Sequence, residues 1–189
     1  MRKNWMIRQG WIAAVMMLVP IIFSLLDADH NSLTQHMSEY EATDGLLPTI
    51  SRYSTVVTGL SVSLFAIGCL FGTGRFRFSW TFVAALVFGL AMLSNGVFTT
   101  GTPMHGLHGL AVFLVLVPTF YAAEFGTGST FPAFVGYSLL TSLIGLLYIW
   151  ALIFGFDPEA WRGLTQRLAS LVTFLWFAVA ALSWRPAYR

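Results

Sequence analysis

The stretch FSWTFVAALVFGLAMLSNGVFTT, residues 78–100, carries no charged side chain from end to end. A hydrocarbon core about 30 Å thick is crossed by roughly 20 apolar residues at helical rise, so this segment alone can span a bilayer. Outward from it, comparable runs occupy residues 11–26, 53–72, 107–125, 131–156 and 168–184. The shorter ones suffice when flanking side chains snorkel to the interface. Hydrophobic residues make up 57% and charged residues 10% of the chain, whereas a soluble domain carries about a quarter charged residues. The expected fold is all-α: an integral membrane bundle of six transmembrane helices, one domain over residues 1–189. The only long connection, residues 27–52, is too short to bury a core of its own.

Net charge is +2 and the cations are scattered, which gives no nucleic-acid surface. Cys69 is the only cysteine and excludes an intramolecular disulfide. Met1-Arg2-Lys3 ahead of an apolar run resembles a signal peptide. The run nevertheless ends in Leu25-Leu26-Asp27-Ala28-Asp29 with no small-x-small cleavage site, so a retained first helix is expected. With the N-terminus cytoplasmic, Arg2, Lys3, Arg8, Arg75, Arg77, Arg185 and Arg189 fall inside and only Arg52, Arg162 and Arg167 outside. That bias sets the orientation, with both termini inside. Every histidine and every acid except Glu124 then lies on the outer side. Trp5, Trp11, Trp80, Trp161 and Trp184 fit interfacial belts, while Trp150 and Trp176 lie deeper and are expected to pack.

Local signals add detail. Ser32-x-x-Gln35 reads as a capping box, and Leu33, Met37 and Tyr40 recur on one helix face. They predict a short amphipathic helix over 32–43, with His36 and Glu39 on its polar side, serving as lid or interfacial anchor. Gly59-x-x-x-Ser63 and Gly68-x-x-x-Gly72 allow close helix packing. Pro118 is expected to kink the fourth span. Asp157-Pro158-Glu159 reads as a cap and first turn announcing the sixth.

At the outer rim the spans would bring together Ser38, Glu39, Asn95, His105, His108, Gln166 and Arg167. Imidazoles and a carboxylate are the donor set of a divalent metal such as zinc, here His105, His108, Glu39 and His36. The arginine suits an anionic head group, and Asn95 or Gln166 could orient a ligand. No catalytic residue is assigned. His-x-x-His is weaker than His-Glu-x-x-His, which is absent, and polar outer loops need no site to explain them. The middles of the apolar runs hold no Asp, Glu, Lys, Arg or His, which argues against a pump. Facing axial histidines for haem are also missing. Two readings stand. One is an outer-face pocket of His, Glu and Arg that binds or processes a lipid-like amphiphile, with membrane lipids as natural partners. The other is a non-enzymatic accessory or scaffold subunit, homo-oligomeric or held in a membrane complex.

Ser38-Glu39 before the second span, Gly96-Val97-Phe98 closing the third and a histidine opening the fourth occur in a telling order. Pro158-Glu159, Gly163-Leu164 and Gln166-Arg167 then lead into a Trp176-bearing helix. In this order the chain resembles the prokaryotic membrane family known as domain of unknown function nine-nine-eight. The resemblance implies a six-helix bundle with a recurrent Ser-Glu, His and Gln-Arg set on the outer rim, and no reaction. Tyr40 stands where the family has Leu, and Thr99-Thr100 where it has Pro and an acid.

Overall fold

The computed structural model of the protein describes residues 4–71, 78–126 and 133–184. Arg2, Lys3, Gly72, Arg75, Arg77, Arg185 and Arg189 lie outside the described residues. The described chain is all helical: α1 Asn4–Ile7, α2 Gln9–Leu26, α3 Met37–Glu41, α4 Leu46–Phe71 and α5 Trp80–Val97, then a 3-10 stretch His105–Val115, α6 Leu116–Phe125, α7 Phe134–Ile153 and α8 Arg162–Ser183. Five helical segments, Trp5–Leu26, α4, α5, α7 and α8, are long and apolar enough to cross a membrane. The fourth predicted run is a shorter apolar helix, Gly109–Phe125. It opens in 3-10 geometry. Pro118 has no N–H to return to Leu114, and the α-helical ladder begins only at Leu116.

α4 packs against α2 and α5, α2 against α8, and α7 against α6 and α8. Small residues set the α4–α5 spacing. A Cβ on Gly59 would meet Leu93 N at 2.5 Å, and one on Gly89 would meet Ser63 Oγ at 2.5 Å. The small-residue stripe of the second span is therefore consumed inside the bundle, and Gly68 likewise faces the Ile7 backbone at 2.9 Å. At the centre Phe65, Tyr121, Trp176 and Phe177 stack and cross edges, with Phe65 and Phe177 centroids 5.3 Å apart. Trp176 is fully buried and donates from Nε1 to Ser138 Oγ at 2.9 Å. Trp150, expected to pack, is instead 52% exposed, because α7 turns most of its face outward.

Three connections gather at one end of the bundle: residues 27–45 between α2 and α4, 98–104 after α5, and 154–161 between α7 and α8. Gly96 of α5 lies beside the Arg52 carbonyl of α4, and Ser94 donates to Met104 O, which ties the second of these connections back to α5. The opposite end is tied by Glu124. Its carboxylate accepts from Trp80 N at 2.6 Å, from Thr81 N at 3.3 Å, and from the hydroxyls of Ser79 and Thr81.

Candidate functional site

The α2–α3 loop is held to the start of α8 by backbone and arginine together. Gly163 N and Leu164 N both donate to Leu33 O, at 2.9 and 3.2 Å. This approach requires glycine: a Cβ at 163 would lie 2.3 Å from Gln35 O and 2.6 Å from Ser32 O. Beneath that contact sits Arg167, 3% exposed. Its Nη1 donates to the carbonyls of Ser32, Gln35 and Gly163 at 2.8–2.9 Å. Nε and Nη2 donate to Ser24 Oγ, and Nη2 also to His30 Nε2 at 3.1 Å. All five guanidinium N–H groups therefore have neutral acceptors, and no carboxylate among the described residues pairs with Arg167. Its geometry is that of a clamp joining α2, the loop and α8.

Beside the clamp, Arg162 pairs with Glu39 at 3.1 Å and donates from Nε to Thr34 O at 2.6 Å. Glu39 also accepts from His36 N at 2.6 Å, so it caps α3. The cap is His36 with Glu39, not Ser32 with Gln35, and the helix covers 37–41 rather than 32–43. Gln35 turns back instead to accept from Asn31 N, while the Ser32 hydroxyl donates to Ser24 O. Gln166 accepts from Met37 N at 2.7 Å. Burial holds the His36 imidazole below its usual pKa against the opposing pull of Glu39. Burial and then Arg167 do the same for His30. The ring of Tyr40, fully buried, lies 5.0 Å from that of His30, and burial followed by Asp27 raises the phenol.

The sequence-predicted residues divide into groups. Glu39, Gln166 and Arg167 share one network with His36 as cap residue, and Ser38 sits half-buried on α3. His105 faces its own loop, with Nδ1 2.8 Å from Phe98 O and Nε2 3.3 Å from Thr100 Oγ1. Asn95 is half-buried, its Oδ1 buried with no hydrogen-bond partner among the described residues. The side chain of His108 lies outside the described residues. Among the described residues no three His, Cys, Asp or Glu side chains converge as metal ligands would.

Two acids carry more than the sequence suggested. Glu41 is 7% exposed and accepts from Thr55 Oγ1 at 2.6 Å. Burial pushes its carboxyl up to about 7, against that hydrogen bond and the charge of Arg52. Its signal was only its place after Glu39, in a loop rich in polar residues. Asp157, read as a helix cap, does not cap α8, which begins at Arg162. Its Oδ1 accepts from Thr165 Oγ1 at 2.7 Å, and its Oδ2 is buried with no hydrogen-bond partner among the described residues.

Asp157 closes one end of a groove of about 270 Å³ between α7 and α8. The walls are Ile144, Tyr148 and Ala151 from α7, with Leu168, Ala169 and Val172 from α8. An open cleft of about 520 Å³ also borders the α7–α8 connection, lined by Thr34, Gln35, Glu159, Ala160 and Arg162. An apolar slot ending at a carboxylate, next to a polar cleft, has the polarity profile of an amphiphile.

No curated protein and no solved structure matches the chain. One family model does match, described as a protein of unknown function (DUF998), over residues 11–183. That span takes in all of α2 but its first two residues and every helix from α3 through α8, together with the clamped loop and the groove, and the chain belongs to the DUF998 family.

Proposed function

We propose that this membrane protein binds an amphiphile at the outer end of its bundle, with the chain in the α7–α8 groove and the polar head at the 154–161 connection. The observation that carries the reading is a groove with mainly apolar walls whose lining includes the half-buried Asp157 at the 154–161 connection. α7 supports it: only 17% of its apolar window is buried against 56% for α4, so the groove opens where lipid chains would be. The polar network of Glu39, Arg162, Gln166 and Arg167 holds the α2–α3 loop beside the head-group end.

In this reading the Gly109–Phe125 segment completes a sixth crossing, and the charge bias puts both termini in the cytoplasm. The loop end then faces outward and meets the outer leaflet. Filling the groove tests the function. Leu168→Trp, placed on its wall, should reduce the lipid retained through detergent exchange, measured by native mass spectrometry. Retention equal to wild type would remove the groove from the function.

A further inference from the structure

The segment 28–36 between α2 and α3 is held down by donors that all lie on α8. Gly163 N and Leu164 N are first-turn amides with no partner inside their own helix, and both end on Leu33 O. Arg162 Nε reaches Thr34 O, and Arg167 Nη1 reaches the carbonyls of Ser32 and Gln35. Carbonyls do not titrate. The remaining acceptor that the segment offers does: the His30 imidazole, 3.1 Å from Arg167 Nη2. An imidazolium has no lone pair to accept with, and the guanidinium keeps its charge at every pH of interest. Protonating His30 therefore turns an attraction into a contact between two cations. The groups that face His30 are Arg167 from α8, Asp27 at the end of α2, and Glu39 and the Tyr40 ring from α3. Both acids already have partners, Asp29 N for Asp27, and Arg162 with the His36 amide for Glu39. His30 itself is half-buried in the turn that follows α2, so a charged ring has a short way to solvent.

We infer that the 28–36 segment is an acid-released lid, with His30 as its trigger. The closed lid requires the neutral ring. It is fully favoured above the ordinary imidazole pKa of 6.5, and is lost as pH falls through the lower value that burial and Arg167 impose. Thr34 and Gln35 of the lid line the open cleft of about 520 Å³ together with Glu159, Ala160 and Arg162. Release of the lid therefore removes part of that cleft's wall. The inference is independent of what the α7–α8 groove binds.

The experiment follows hydrogen exchange of the full chain in lipid nanodiscs at pH 7.5 and pH 5, with exchange times scaled to the intrinsic rate at each pH. The reporters are Gly163 N and Leu164 N, which lose their acceptor, Leu33 O, when the lid lifts. In wild type their exchange should quicken by about tenfold on acidification, the range that losing one hydrogen bond to a charged group supplies. Amides in the middle of α4 should stay protected. His30→Gln, which accepts without titrating, should match wild type at pH 7.5 and show no quickening at pH 5. His36→Gln removes the lid's other imidazole and should leave the wild-type response in place, which keeps the test sharp if His30→Gln folds poorly. No quickening in wild type, equal quickening in His30→Gln, or loss of the response in His36→Gln overturns the inference. Exchange that quickens equally through α4 overturns it too, because that is acid unfolding of the bundle and not release of a lid.

Discussion

Arg167 donates a hydrogen bond to His30: Nη2 lies 3.1 Å from Nε2. A guanidinium has no lone pair, so the imidazole nitrogen must be the acceptor and His30 must be neutral. Protonation would remove the bond and set two cations against each other. The groups facing His30 are Arg167, Asp27 and Glu39, with the Tyr40 ring against it, and burial and Arg167 outweigh the two acids. The folded pKa is lowered from 6.5, so the contribution is fully present above 6.5 and is lost as pH falls through the lower folded value. Thermal unfolding in mild detergent should show the wild type losing stability between pH 7 and pH 5. His30→Gln, which accepts without titrating, should flatten that loss; an equally steep profile would show that His30 is not its source.

Gly163 is the second support of the clamp. A methyl there meets two loop carbonyls inside 2.7 Å, at 2.3 and 2.6 Å, and both belong to backbone that Arg167 also holds. Gly163→Ala is expected to cost about 1–3 kcal/mol, the usual range for overpacking. Loop proteolysis should rise with it. Gly136→Ala, where nothing lies within 4 Å, should be near neutral and serves as the control. Similar unfolding temperatures for the two variants would mean the loop can move aside at little cost.

How far sequence reading reached follows from what each feature depends on. Spanning helices were legible because bilayer burial asks only for apolar length, and five appear where runs were read. Their starts were not. α4 begins at Leu46, about two turns ahead of its apolar run, because helical hydrogen bonding tolerates the polar residues there, and α8 begins at Arg162, past the cap read at Asp157 and ahead of the apolar run. The rim set was legible as residue types at one end of the bundle, yet its pairing was not. Arg167 is satisfied mainly by carbonyls of Ser32, Gln35 and Gly163, and a carbonyl leaves no trace in residue identity. The same holds for His105, whose partner is the Phe98 carbonyl.

Glu41 gives a pH dependence of the opposite sign. Its folded pKa is raised from 4.5 to about 7, so the folded chain binds the proton more tightly than the unfolded one. The stability this contributes is fully present below 4.5 and is lost as pH rises through about 7. Glu41→Gln keeps an acceptor for Thr55 and removes the charge. It should raise the unfolding temperature at pH 8 and change it little at pH 4.5. If the variant is no more stable than wild type at pH 8, the buried carboxylate is compensated, with Arg52 the natural partner.

Glu124 makes the last prediction, at the end of the molecule away from the groove. One carboxylate on α6 receives two backbone N–H groups from the first turn of α5 and two hydroxyls. Those N–H groups have no partner within their own helix, and an anion there also meets the positive end of the helix dipole. Ser79 takes part as well, as N-cap to Phe82 N at 3.1 Å. Glu124→Ala removes the interhelical acceptor and leaves Trp80 N and Thr81 N seeking others, at an expected cost of about 2–4 kcal/mol. Glu124→Gln retains one acceptor oxygen and should recover roughly half of that. Hydrogen exchange at Trp80 and Thr81 locates the effect. Faster exchange confined to this turn marks a local cap, whereas faster exchange throughout α5 and α6 would show that Glu124 holds the two helices together.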